Sequence, residues 1–256
     1  MIKLGELVLD RRIPRIAVAF SAAAHLQHLP QYKAAGLDVA EIRLDLFADR
    51  SRHQIRMILD AFKAASLTTL LTLRSQAEGG KWDDDESGRL ALIGELSAEV
   101  DAVDIELSAF LSNPGSASAA LRQVRSNQKA VIVSHHDFHG VPRALSASIA
   151  RAFAVGADIV KIACMVRDND DIRALAAILM AHPEQHLIVI GMGPAGRVTR
   201  TAFPALGSLL TFASIPGSPT APGQPEFREL LAELRSCYPA FASDKDSVQP
   251  VPIHPT

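Results

Sequence analysis

The order of apolar and polar runs in this chain predicts a TIM, or (β/α)8, barrel. Two observations carry that reading. Eight strand-like runs recur along the chain, each followed by a stretch suited to a helix. The length of 256 residues also matches the roughly 250 typical of this barrel. A doubly wound open sheet is the competing architecture. It prefers fewer strands and a glycine-rich turn after the first, which the run 20–25 (Phe-Ser-Ala-Ala-Ala-His) does not supply.

Each element has a local warrant. Short apolar, β-branched runs give strands at 15–20, 38–44, 68–73, 102–107, 130–134, 158–162, 186–191 and 208–212. Ala-, Leu- and Arg-rich stretches between them give helices at 26–35, 52–65, 87–100, 118–126, 143–155 and 170–181. A weaker helix follows at 200–206, and 225–237 closes the series behind a proline. Residues 4–9 read as a short strand covering the barrel bottom. Residues 1–238 are thus expected to form one barrel domain with a short N-terminal cap. Residues 239–256 carry Pro, Ser and Asp without periodicity and read as mostly disordered.

Composition narrows the function classes. Hydrophobic residues at 48% allow a sizeable core, and a net charge of -2 leaves no basic surplus for nucleic acid. Aromatics at 5% argue against stacking platforms for single strands. Cys164 and Cys237 have neither zinc-ligand spacing nor a disulfide framework around them. Residues 1–7 lack a signal peptide's apolar core, and no run approaches the ~18 apolar residues of a membrane span. A cytoplasmic protein with no membrane partner is expected.

In this barrel the site lies at the C-terminal ends of the strands, and here those ends are polar. Lys161 interrupts the apolar run 158–163 (Asp-Ile-Val-Lys-Ile-Ala). Desolvation disfavours a lysine's charged form, and an amine poised near neutrality can attack a ketone. The plainer reading is a lysine that snorkels from a strand end to solvent. In 41–45, period two puts Glu41, Arg43 and Asp45 on one face, pointing inward, while Ile42 and Leu44 face the helices. A structural ion-pair network competes with a site there. Arg74 can hold a carboxylate or hydroxyl through its fork, and Glu78 can reach back over the mouth from a glycine-flanked loop. Asp104 and Glu106 share one face. His135 and His136 end the fifth strand, one of them a general acid/base; parity alone leaves open which. The run 191–200 carries glycines with Arg197 and Arg200 and suits an anion, though it lacks a P-loop's ending. Residues 214–224 read as a lid offering Thr220 and Gln224. No metal-ligand pattern is present. The sum is imine chemistry on a small, oxygen-rich keto acid.

With these residues in hand, the chain resembles type I 3-dehydroquinate dehydratases from about residue 7 to 237. The resemblance rests on the runs 41–47, 72–80, 104–107, 134–138, 158–163, 191–200 and 220–224, each at the end of an expected strand. It implies a lyase that removes water from 3-dehydroquinate, giving 3-dehydroshikimate in the shikimate pathway of aromatic amino acid biosynthesis. It implies no metal or organic cofactor and a homodimer. Lys161 would form the Schiff base with the C3 ketone. The family's His-Asp-Phe histidine falls on His136, which would take the C2 proton and assist loss of the C1 hydroxyl in a syn elimination. Glu78 would orient that histidine. Glu41, Arg43 and Arg74 would contact the substrate ring and hydroxyls, Arg200 rather than Arg197 its carboxylate, and Thr220 and Gln224 the lid side. Thr199 stands where serine is usual before the clamping arginine. A class I Schiff-base aldolase on the same barrel, and a catalytically idle metabolite-binding barrel, are the alternatives.

Overall fold

The computed structural model describes residues 1–83 and 85–246. The chain opens on an antiparallel hairpin, β1 (Ile2–Leu4) and β2 (Leu7–Leu9), where one strand was expected. Gly5 turns it with φ +56°, and a Cβ there would meet Asp101 Oδ1 at 2.5 Å.

Eight parallel strands follow: β3 (Ile16–Phe20), β4 (Val39–Arg43), β5 (Thr68–Thr72), β6 (Ala102–Glu106), β7 (Ala130–Asp137), β8 (Ile159–Met165), β9 (Leu187–Met192) and β10 (Thr211–Ala213). They pair in the order β10-β3-β4-β5-β6-β7-β8-β9. The seam between β9 and β10 has no ladder. There Leu209 N–H donates to Leu187 O at 2.9 Å and Val189 N–H donates to Ser208 Oγ at 3.0 Å. These contacts use residues 208–210, which is why β10 is shorter than the run 208–212 suggests. The (β/α)8 architecture is as the sequence predicts.

The helices are α1 (Leu29–Ala34), α2 (Arg52–Ala64), α3 (Glu86–Leu96), α4 (Leu107–Ser112), α5 (Pro114–Ser126), α6 (Leu145–Ala154), α7 (Asn169–Ala181), α8 (Thr199–Ala202), α9 (Phe227–Cys237) and α10 (Pro239–Asp246). The side chains of Ser51, Asp85 and Asp168 cap α2, α3 and α7 by accepting backbone N–H groups. The expected helix 26–35 divides between His28 and Leu29, just before Pro30, into a 3-10 turn and α1. Helix α4 was not anticipated, because only seven residues separate β6 from the proline that starts α5.

Period two sorts the strand residues into two environments. Outward-facing Ile42, Leu71, Val103, Ile105, Val133, Val160 and Ile162 pack in the shell with the helices. Inside, Ala17, Val39, Leu70, Ala102, Ile132, Ile159 and Ile188 form an apolar floor against Leu4 and Leu9 of the hairpin. Two residues further along, the interior turns polar with Glu41, Thr72, Asp104, Ser134 and Lys161, all buried. The floor positions the site by closing the barrel on the side away from it.

One expectation fails. Residues 239–246, read as the start of a structureless tail, form α10 and pack under the barrel. Phe241 is fully buried, worth about 1.5–3 kcal/mol. Lys245 Nζ lies 2.6 Å from Asp38 Oδ1, and Arg15 bridges Asp38 and Asp244 at 3.0 and 2.7 Å. The partners of this helix are some two hundred residues away, so no local pattern announces them. Residues 247–256 lie outside the described ones.

Candidate active site

Lys161 sits mid-strand in β8, 5% exposed. Its Nζ lies 3.5 Å from Asp104 Oδ2, 3.6 Å from Glu41 Oε1 and 4.3 Å above the Phe212 ring. The two anions stand farther off than the 2.7–2.9 Å of a close ammonium–carboxylate bond. Glu41 is held by the Thr72 hydroxyl at 2.8 Å.

Behind the lysine, Arg74 joins two carboxylates of β6. Its NH2 is 3.0 Å from Asp104 and its NH1 3.1 Å from Glu106, and NH1 also donates to Ser134 Oγ at 2.8 Å. Burial works against the Arg74 charge, but Asp104, Glu106 and Glu78 outweigh it and raise its pKa. Arg89 and the Ser75 N–H complete the set around Glu106 at 2.7 and 2.8 Å. This ion-pair network lies outside the 41–45 triplet for which one was weighed, and it buttresses the site from behind.

The strand β7 runs to Asp137, three residues beyond expectation, and carries the histidine pair. His136 lies beside Ala163 of β8 and lines the central cavity. His135 does not line it. The Nδ1 of His136 is 2.9 Å from Glu78 Oε2, and its backbone N–H donates to that same oxygen at 3.0 Å. Ser108 Oγ donates to Glu78 Oε1 at 2.6 Å. With both carboxylate oxygens accepting, the imidazole proton belongs on Nδ1 and Nε2 is left with a lone pair. Burial, reinforced by the cations of Arg74, Lys161 and Arg43, holds His136 well below the ordinary imidazole pKa. Burial pushes Glu78 up to about 7, partly countered by Arg74.

The remaining residues form the rim. Arg43 is gripped by Asp45 through two bonds of 2.9 and 2.8 Å. Asp45 sits in a 3-10 turn past the end of β4, so it orients Arg43 and does not line the cavity. Arg200 is 2% exposed; among the described residues NH1 donates to Phe212 O at 3.1 Å, while Nε and NH2 have no partner. Burial lowers its pKa to about 10. Arg197 instead turns to Glu229 and Glu233 of α9 at 2.6 and 2.8 Å. Thr199 anchors the turn below: its hydroxyl donates to Gly196 O at 2.6 Å and accepts from Gly191 N at 2.9 Å. Threonine's hydroxyl therefore serves the loop's geometry.

Thr220 donates through both N–H and hydroxyl to Gln224 Oε1, at 2.9 and 3.1 Å. Gln224 Nε2 in turn donates to Ala213 O at 3.0 Å. The loop is stitched to the preceding one where Gly193 N–H donates to Pro222 O at 3.0 Å. Gly223 permits the approach: φ is +70°, and a Cβ would lie 2.2 Å from Gly193 O.

Glu41, Arg43, Arg74, Glu78, His136, Lys161, Arg200, Thr220 and Gln224, all singled out in the sequence, line one cavity. Its empty volume, including the part open to solvent, is about 520 Å³. Phe138, Ala163, Ile190, Met192 and Phe212 supply apolar walls that the sequence reading did not name. Ser108 and Ser134 were also missed. Two serines in a chain rich in small residues carry no signal until the fold brings them to Glu78 and Asp104.

A barrel with a loosely held buried lysine, a histidine–carboxylate pair and an unpaired buried guanidinium at its strand C-termini has the makings of an enzyme. A model of the type I 3-dehydroquinase family matches residues 16–239. The 3-dehydroquinate dehydratase of Methanothrix thermoacetophila is 36% identical over 234 residues, which are 91% of this chain and 97% of that protein. Among solved structures, the 3-dehydroquinate dehydratase of Aquifex aeolicus superposes with a TM-score of 0.76 at 29% identity, covering 88% of this chain and 99% of that one. That of Geobacillus kaustophilus gives 0.81 at 26%, covering 92% and 97%. The chain belongs to the type I 3-dehydroquinase family and is an enzyme of that family. No helix among the described residues is long and apolar enough to cross a membrane.

Proposed function

We propose that this enzyme converts 3-dehydroquinate to 3-dehydroshikimate through an imine at Lys161, within the shikimate pathway. The observation that carries the reading is the joint presence of three groups in one cavity: Lys161, the Nε2 face of His136, and Arg200 with two nitrogens unpartnered. Unsatisfied buried donors are costly in a folded protein, and a substrate carboxylate answers those of Arg200.

The steps follow from the groups. The neutral Lys161 amine adds to the C3 carbonyl carbon, and loss of one water leaves a protonated imine. That cation draws electrons from the adjacent C2–H bond, and His136 Nε2, kept neutral by burial, takes the proton. The resulting enamine returns its electrons, the C1–O bond breaks, and the departing hydroxyl receives the proton from His136 as water. A second water then hydrolyses the product imine and restores Lys161, so the net change is the loss of one water. Glu78 steadies the imidazolium formed midway. Glu41, Arg43 and Arg74 are placed for ring hydroxyls, and Thr220 and Gln224 for closure over them.

The test is intact-protein mass after 3-dehydroquinate and borohydride, with the adduct mapped. A reduced adduct on Lys161 with the mass of the dehydrated product is expected. An adduct retaining the full substrate mass would mean that the lysine works but proton transfer fails. No adduct on folded protein overturns the reading.

A further inference from the structure

We infer that Asp104 is a positioning residue for the Lys161 nitrogen, the fixed counter-anion that keeps its positive charge through the imine stage. The inference rests on the imine reading above and adds a residue to it. Asp104 reaches the nitrogen from β6 at 3.5 Å, is 2% exposed and does not line the cavity, so substrate cannot displace it. Its orientation is over-determined. Oδ1 accepts from Ser134 Oγ at 2.6 Å, and Oδ2 faces Arg74 NH2 at 3.0 Å. Burial pushes its carboxyl pKa up, yet Arg74, Lys161 and Ser134 together bring it below the usual range, so it stays ionised.

The other groups around this nitrogen play different parts. Glu41 from β4 stands at 3.6 Å but lines the cavity and is open to substrate hydroxyls. Arg74, Arg200 and His136 bring positive charge or none, and Glu78 is turned to His136. The Phe212 face at 4.3 Å favours a cation without hydrogen-bonding it. When the amine becomes an imine its nitrogen stays on the lysine tether, and Asp104 need not move. An anion there holds the imine protonated, and only the protonated imine is a strong electron sink.

The experiment is Asp104→Asn, which keeps size and one of the two accepting oxygens and removes charge. Cyanoborohydride reduces only the protonated imine, so trapping at Lys161 is followed against pH with 3-dehydroquinate, alongside kcat and KM. For the variant, the upper pH limit of trapping should fall by about 1–3 units, the range expected for an opposite charge within 4–6 Å. The value of kcat should drop by about one to two orders of magnitude with KM nearly unchanged. Wild-type trapping with an unmoved limit in the variant overturns the role, whatever kcat does, and leaves Asp104 a prop for Arg74. No trapping in the wild type sinks the imine reading itself, a separate outcome. If Asp104→Asn does not fold, Ser134→Ala keeps every charge and frees Oδ1; its limit should shift the same way by less, and no shift counts against the proposal.

Discussion

Lys161 and Lys245 are equally buried, each 5% exposed, at opposite ends of one barrel. Lys245 lies under the N-terminal ends of the strands, 2.6 Å from Asp38. Asp38 also accepts from Arg15 at 3.0 Å and from the Ile16 N–H at 2.9 Å, and Asp244 stands 3.5 Å from the lysine. Two cations and two anions balance, and each charge has a close partner. Lys161 has anions at 3.5 and 3.6 Å, the nearer a long hydrogen bond to Asp104, and an aromatic face. Burial is therefore uninformative about a lysine's task. The closeness and setting of its partner decide, since an ammonium held by a carboxylate at 2.6 Å is a fastener, while the Lys161 nitrogen faces a cavity with no described carboxylate nearer than 3.5 Å.

The contrast can be broken most sharply at Lys161. Lys161→Ala should reduce turnover to background while the melting temperature stays within a few degrees, because Arg74 still pairs Asp104. Appreciable turnover by that variant would remove the nucleophile from the mechanism. His136→Ala should lower kcat by about 10²–10⁴-fold, the usual worth of a general acid/base. His135→Ala should change it only a few-fold; equal losses in a steady-state comparison would contradict the side-chain orientation.

Lys245→Met reverses the pattern. Removing one partner of a buried pair costs about 3–5 kcal/mol, and the lower end applies here because Arg15 and Ile16 still hold Asp38. Chemical denaturation should show that loss while the folded enzyme keeps its kcat. Unchanged stability would mean that α10 rests on the barrel without fastening it. Arg200→Ala should raise KM by about 10- to 100-fold, in line with 1.5–3 kcal/mol for a hydrogen bond to a charged group, with a smaller change in kcat. An unaltered KM would redirect the carboxylate elsewhere.

The smallest expected effect is in pH. His136 must be neutral to act as base, and its pKa is held down by burial and nearby cations. Its neutral form therefore persists to lower pH than that of a free imidazole, ordinarily about 6.5. Protonation of His136 itself should cut activity only below that value, whereas a limb near 7 would report loss of the Glu78 charge, itself pushed up to about 7 by burial. A kcat/KM profile whose acid limb stays above about 6.5 in Glu78→Gln would show that the base is not this histidine.

Much of the site was legible because barrel strands alternate. Glu41 with Arg43, and Lys161 between apolar neighbours, declare an inward polar layer by period two alone. Arg74 and Glu78 followed from lying just past a strand end. Asp104 was legible as a charge on the right face, with nothing local to assign its partner. The histidine doublet shows where local reading stops: composition fits either residue, and only the register of β7 on β8 puts His136 beside Ala163 and over the cavity. Helix α10 shows the same limit in the fold, since a polar eight-residue segment looks structureless until Asp38 and a slot for Phe241 are opposite it.

By itself, then, the sequence determined the repeating βα order, the inward polar layer and the residue types available for chemistry, since these depend on periodicity and near neighbours. Tertiary structure gave the physical ground for what the sequence resemblance only implied, that His136 turns inward and that Arg200 lacks an anion among the described residues, and it alone decided which buried lysine is tied closely to a carboxylate. Those outcomes depend on ångström-scale distances between strands and helices far apart in the chain, and electrostatic interactions inside a protein change steeply over such distances.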